Sequence, residues 1–242
     1  MKPVLVFVPG MLCDERLCVP LISATSEFDL QIADTRQHKS IEEMANAAWQ
    51  LILSLPAERE IVLCGFSMGG YVVLNMLSDM RRPTEAAVLI STSARAATED
   101  EKANRRKAIE YIGSNFPKML EHLAAVGFSQ PTPATGKCIV DMGMHIGPEI
   151  ASQQCRAIMD RPDVRSMLGR ISIPVHVLCG ENDRLTPQHL SEEMASLIPG
   201  ACLQIVPDAG HMLPLEKTEA FKKLINKVFM EKKTTKTRME TL

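Results

Sequence analysis

Ile61-Val62-Leu63-Cys64-Gly65-Phe66-Ser67-Met68-Gly69-Gly70 is the stretch that decides the fold. Its first four residues are apolar without alternation, the mark of a strand covered on both faces. Gly65-x-Ser67-x-Gly69 follows at once. Val72, Val73, Met76 and Met80 then recur at three- and four-residue spacing, which predicts a helix from Gly69 to about Met80. A strand that turns through Gly-x-Ser-x-Gly into a helix is the setting of a nucleophilic serine. The turn must be sharp enough for the serine Oγ to stand clear of the sheet. Flanking glycines let neighbouring backbone come close, and the new helix aims free N–H groups at developing negative charge.

Further short apolar runs lie at Val4–Val8, Ala87–Ile90, Pro174–Cys179 and Ala201–Val206. Phe28–Ala33 alternates more and fits a strand nearer the edge. Ser40-Ile41-Glu42-Glu43 has the form of a capping box and opens a helix to about Leu55, which Pro56 ends. Thr186-Pro187 reads as a cap and an N1 proline for a helix to about Ile198. Another helix is expected from Pro214 to about Phe229, followed by a polar, basic tail (Glu231 to Lys236) expected to fray. Strands alternating with helices predict an α/β fold, a mostly parallel sheet of about six strands with helices on both faces. Residues 94–170 break the alternation. Helical patterns around Ala108–Ile112, Lys118–Val126 and Ile150–Met159 make this stretch a helical insertion that covers a pocket. Residues 1–93 and 171–242 form the core.

A serine hydroxyl needs a base, and the chain has six histidines. His176 falls in a strand, His38 and His189 at surface positions, and His122 and His145 in the insertion. His211 differs, because Pro207-Asp208-Ala209-Gly210-His211-Met212 follows the last strand and puts it at the carboxyl edge of the sheet, where ligands bind in open α/β folds. The base must itself be oriented. Asp183, just past the strand that ends in Val177-Leu178-Cys179-Gly180, is the candidate, with Glu181 its rival; Asp208 reads as a turn residue. An oxyanion hole takes one N–H from the residue after the nucleophile, Met68, and one from the loop after the first strand, for which Met11 is the choice.

Composition narrows the alternatives. With 45% apolar, 23% charged and 4% aromatic residues, the chain is not disordered. Its net charge of −2 gives no field to attract nucleic acid or anionic membrane. Phosphate-loop and dinucleotide-binding glycine patterns are absent from the sequence. The seven cysteines have no disulfide-like cadence; Cys64, Cys179 and Cys202 read as small hydrophobes, and Cys13 with Cys18 make a poor zinc site. A reducing, cytoplasmic setting is the expectation, with no metal and no cofactor, and with a homodimer left open.

These motifs resemble the α/β-hydrolase superfamily. Gly65-Phe66-Ser67-Met68-Gly69-Gly70 is similar to the family elbow, Gly180-Glu181-Asn182-Asp183-Arg184-Leu185-Thr186-Pro187 to its acid loop, and Gly210-His211 to its histidine loop. The order Ser67, Asp183, His211 is the one stated for this fold. Pro9-Gly10 stands where the family usually has His-Gly, and the chain starts at the family's third strand. The resemblance implies a serine hydrolase of a small, largely apolar ester, thioester or lactone, working through an acyl-enzyme. Carbon–carbon bond hydrolases, lyases, cofactor-free haloperoxidases and non-catalytic binders share the scaffold. Met11, Met68, Met119, Met142, Met144, Met159 and Met212 are candidate pocket linings, and Arg95, Arg161 and Arg165 candidate partners of a substrate carboxylate.

Overall fold

The computed structural model of the chain describes residues 1–18, 21 and 27–240, with side chains as far as Met230. Six strands form one sheet: β1 (Val4–Val8), β2 (Asp29–Ile32), β3 (Ile61–Phe66), β4 (Ala86–Ile90), β5 (Val175–Gly180) and β6 (Cys202–Val206). They lie in the order β2-β1-β3-β4-β5-β6, and every neighbouring pair is parallel. The chain leaves β1 toward one edge and returns on the other side at β3. Such a reversal opens a crevice at the carboxyl ends of the strands.

Alternate residues of each strand feed two cores. Val4, Val6, Ile61, Leu63, Leu89 and Val177 pack with α1 (Ile41–Leu53) and α2 (Met68–Ser78) on one face. Leu5, Phe7, Val62, Cys64, Val88 and Leu178 face the other way, onto Phe221, Leu224, Ile225 and Val228 of the last helix. Both faces are therefore dry, and the central strands carry no polar alternation. Ser40 caps α1, its hydroxyl accepting the Glu43 N–H at 3.1 Å, but the Glu43 carboxylate takes the Lys39 N–H (2.7 Å) where a full capping box would take that of Ser40.

Between β4 and β5 lie four helices: α3 (Glu99–Gly127), α4 (Pro133–Ile146), α5 (Pro148–Met159) and α6 (Arg165–Leu168). The expected segments around Ala108–Ile112 and Lys118–Val126 are one element, bent at Asn115, where the backbone is non-helical just ahead of Pro117. Pro117 has no N–H to donate to the helical ladder, and the helix kinks there. Helix α4 went unread because its prolines and glycines look like punctuation. Pro133 instead opens it behind the capping residue Thr132, and Gly143 lets α4 close on Leu120 of α3.

Three expectations at the far end are corrected. Helix α7 is Gln188–Leu197, and Thr186 does not cap it; Pro187 holds that position. Cys202 is exposed rather than a small hydrophobe, because β6 is an edge strand whose Cys202 and Gln204 face outward. Pro214 lies in a single turn, α8 (Leu213–Glu216), and α9 (Thr218–Glu240) then keeps a helical backbone through the tail expected to fray. No proline or glycine interrupts that run, and its lysines, glutamates, arginine and methionine are good helix formers that offset the three threonines.

Candidate active site

Strand β3 ends at Phe66 and α2 begins at Met68, so Ser67 alone makes the turn. Its backbone sits at φ 52°, ψ −114°, a strained conformation for a residue with a Cβ. The surroundings hold it there. The Ser67 N–H donates to Ile90 O at 2.9 Å, and Thr92 Oγ1 donates to Ser67 O at 2.9 Å. A Cβ at Gly69 would collide with Val8 O, and one at Gly65 with Gly69 O. Only glycine lets the strand, the turn and the helix lie this close together.

His211 arrives from the loop after β6. Asp208 takes the positive φ (52°) that turns the loop, and Met212 N–H donates to Gly127 O at 2.8 Å. His211 is buried, and its ring tilts against Phe66 with centroids 5.2 Å apart. Its Nε2 lies 3.0 Å from Ser67 Oγ, and its Nδ1 lies 3.0 Å from both Asp183 carboxylate oxygens. The loop carrying Asp183 is laid beside the histidine loop by Glu181 N–H to Val206 O (3.0 Å) and Asn182 N–H to Ala209 O (2.8 Å).

Asp183 is buried at 4% exposure, and besides the bond to His211 it accepts three local ones. Leu185 N–H and Thr186 N–H donate to Oδ1 at 2.9 and 2.8 Å, and the Thr186 hydroxyl donates to Oδ2 at 2.8 Å. Burial works against the charge. The His211 ring and the Thr186 donors outweigh it, and the carboxyl is held below its ordinary range. Thr186 is thus the residue missed by reading Thr186-Pro187 as a helix start: a buried carboxylate has more need of its hydroxyl than a helix end does. The rival Glu181 is exposed and accepts the Asp208 N–H at 3.2 Å, so it braces the histidine loop from outside.

The two candidate oxyanion donors come from two segments of the chain. Met68 is the first residue of α2, and a first-turn N–H has no intrahelical acceptor. Met11 lies in the loop after β1. That loop is fixed from the insertion: Leu12, at φ 59°, donates its N–H to Gln154 Oε1 at 3.0 Å, and its side chain packs with Ile112, Phe116, Leu120 and Cys155. Gln154 is fully buried on α5, a role that its polar type concealed in the sequence. Neighbouring thiols are no rivals to Ser67. Burial pushes Cys13 up to about 12 and Cys64 higher still.

The remaining candidates are engaged elsewhere or exposed. His176 is buried inside β5, while His122, His145 and His189 are exposed. Met142 and Met212 fill the core on the α9 face of the sheet, Met68 fills the opposite core, and Met144 is 53% exposed. Each arginine considered for a substrate carboxylate has a protein carboxylate instead: Arg161 pairs with Glu101 (3.0 Å), Arg95 with Glu193 (2.8 Å) and Arg165 with Asp163 (2.6 Å). Among the described residues, no group of three His, Cys, Asp or Glu side chains is placed to hold a metal, and no helix is long and apolar enough to cross a membrane.

Comparison with known proteins agrees with this geometry at the level of the fold. The chain is 26% identical over 190 residues to a pimeloyl-acyl-carrier-protein methyl ester esterase of Neisseria meningitidis serogroup B, covering 74% of this chain and 72% of that one. It is 24% identical to 3-oxoadipate enol-lactonase 1 of Acinetobacter baylyi, over 90% of this chain and 85% of that one. A thermophilic esterase from Thermogutta terrifontis superposes with a TM-score of 0.86 at 25% identity, covering 96% and 90% of the two chains. The model of the alpha/beta hydrolase family matches residues 23–224, and the chain belongs to that family.

Proposed function

We propose that the protein is a serine hydrolase of a small, largely apolar ester, thioester or lactone, with Ser67, His211 and Asp183 as its triad and the Met11 and Met68 amides as its oxyanion hole. The observation that carries this reading is the unbroken row from Ser67 Oγ through the His211 ring to the buried Asp183 carboxylate, each step 3.0 Å.

Ser67 Oγ attacks the substrate carbonyl carbon while His211 Nε2 takes its proton. Asp183 holds the Nδ1–H tautomer and stabilises the imidazolium that forms. The former carbonyl oxygen takes up the negative charge between the Met11 and Met68 amides. Collapse breaks the bond to the alcohol or thiol, which leaves with the proton from His211. Water then attacks acyl-Ser67, gives its proton to His211, and the second collapse returns that proton to Ser67 Oγ as the carboxylic acid departs. Helices α3 to α6, read as a cap over the sheet edge, shield these steps from bulk water.

A panel of p-nitrophenyl esters, thioesters and lactones tests the reading. Wild type should turn over short members, and Ser67→Ala or His211→Ala should lose on the order of 10⁴-fold in kcat/KM. Turnover that survives Ser67→Ala undiminished would overturn the assignment.

A further inference from the structure

Arg105 stands apart from the other arginines near the insertion. It sits on α3, half-buried. Its Nη1 lies 3.3 Å from Met11 Sδ and 3.9 Å from Cys155 Sγ. Among the described residues it has no carboxylate within ion-pair distance. Glu101, one turn earlier on the same helix, bonds elsewhere: its Oε2 takes Arg161 Nη2 at 3.0 Å and the Thr98 N–H at 2.8 Å.

Thioether and thiol sulfurs are weak acceptors, whereas a guanidinium carries five donors in a rigid fork. A partly desolvated guanidinium whose contacts are two sulfurs gains much from an incoming carboxylate, which matches the fork with two charge-assisted hydrogen bonds. The contrast with Arg161 is direct: that side chain already donates to the Glu101 carboxylate, Arg95 O and Ile158 O. The position also counts. Met11 is the residue whose amide is assigned to the oxyanion, and its flexible side chain can move aside for a ligand. The field of Arg105 reaches Tyr71, one turn after Ser67: burial raises that phenol, while Arg161 and then Arg105 pull it back.

We propose that Arg105 anchors a carboxylate carried by the substrate, so that the ester cleaved at Ser67 is a monoester of a small dicarboxylic acid. This rests on the reading of Ser67 as nucleophile. The anchor touches the tip of the side chain whose backbone is the proposed oxyanion donor, and the proposal takes the distal carboxylate to lie a few methylene groups from the reacting carbonyl. That is the length of a succinyl to adipyl chain.

Two measurements test it. The first compares mono-p-nitrophenyl glutarate with p-nitrophenyl pentanoate, which has a methyl group in place of the carboxylate. In Arg105→Ala the ratio of their kcat/KM values should fall about 10- to 100-fold, the worth of hydrogen bonds to a charged group, chiefly through KM. Arg105→Lys should recover part of it. A ratio that moves by less than about twofold overturns the proposal. The second is calorimetric titration of monomethyl glutarate into Ser67→Ala and into Ser67→Ala/Arg105→Ala. Binding should weaken at least about tenfold in the double variant. Equal binding, or none to either, overturns the proposal. A wild-type chain that leaves both esters intact counts against Ser67 alone, and the titration still decides Arg105.

Discussion

The rim of the sheet and the helices between β4 and β5 are held by different means. At the rim, backbone presses on backbone. Gly69 leaves no room for a Cβ beside Val8 O, and the loops bearing Asp183 and His211 exchange main-chain hydrogen bonds. In the insertion, side chains make the contacts: Leu12, Ile112, Phe116 and Leu120 form a small separate core, and Arg161 ties α3 to the end of α5. Backbone contacts tolerate almost no substitution, whereas a side-chain core can be repacked. The proposed chemistry therefore stands on the part of the molecule that cannot vary, and the proposed substrate recognition on the part that can.

Gly69→Ala should break the rim hardest. The clash is with main chain, and a loss of about 3 kcal/mol or more is expected in urea unfolding. A small change there would mean that the elbow relaxes freely, and the contrast with the insertion would fail.

Gln154→Leu probes the hydrogen bond from the Leu12 N–H of the proposed oxyanion loop to the insertion. The Leu12 N–H would be left buried and unpaired, at a cost of about 1–3 kcal/mol. On the present reading kcat falls about tenfold, with KM little changed. Lost stability with unaltered kcat would separate Leu12 from the oxyanion hole.

Acid should act at the rim through Asp183. Its carboxyl is held below its ordinary range, so the folded state favours its charge. The stability this provides is present above the unfolded value of about 3.9 and is lost as pH falls through the lower folded value. Wild type should exceed Asp183→Asn in stability at pH 6, and the gap should close below about pH 4. A gap that stays constant to pH 3 would show that the carboxylate gains nothing from its partners.

Gly113→Ala is the mild counterpart of the first variant. Position 113 lies in α3, and an added Cβ meets nothing within 4 Å. A gain of about 0.5–1 kcal/mol is expected from helix propensity. Destabilisation would mean that α3 is as tightly constrained as the elbow.

What was legible in the sequence follows the same division. Ser67, Asp183 and His211 could be read because each follows a strand, and a parallel sheet delivers the residues after its strands to one edge. Thr186, Gln154 and Arg105 could not. Threonine before proline looks like a helix cap, and glutamine or arginine on a helix looks like solvated surface. Their partners lie across the fold or depend on side-chain direction, which local spacing does not encode. The same blindness hid α4, whose Pro133 and Gly147 mark the ends of a helix and not a loop.

The most direct measurement of the central claim is labelling by a fluorophosphonate probe, followed by mass spectrometry of the modified peptide. A single phosphonyl group on Ser67, absent from Ser67→Ala and greatly slowed in His211→Ala, is the predicted result. A native, folded chain that takes up no label, or carries it on another residue, would contradict the account.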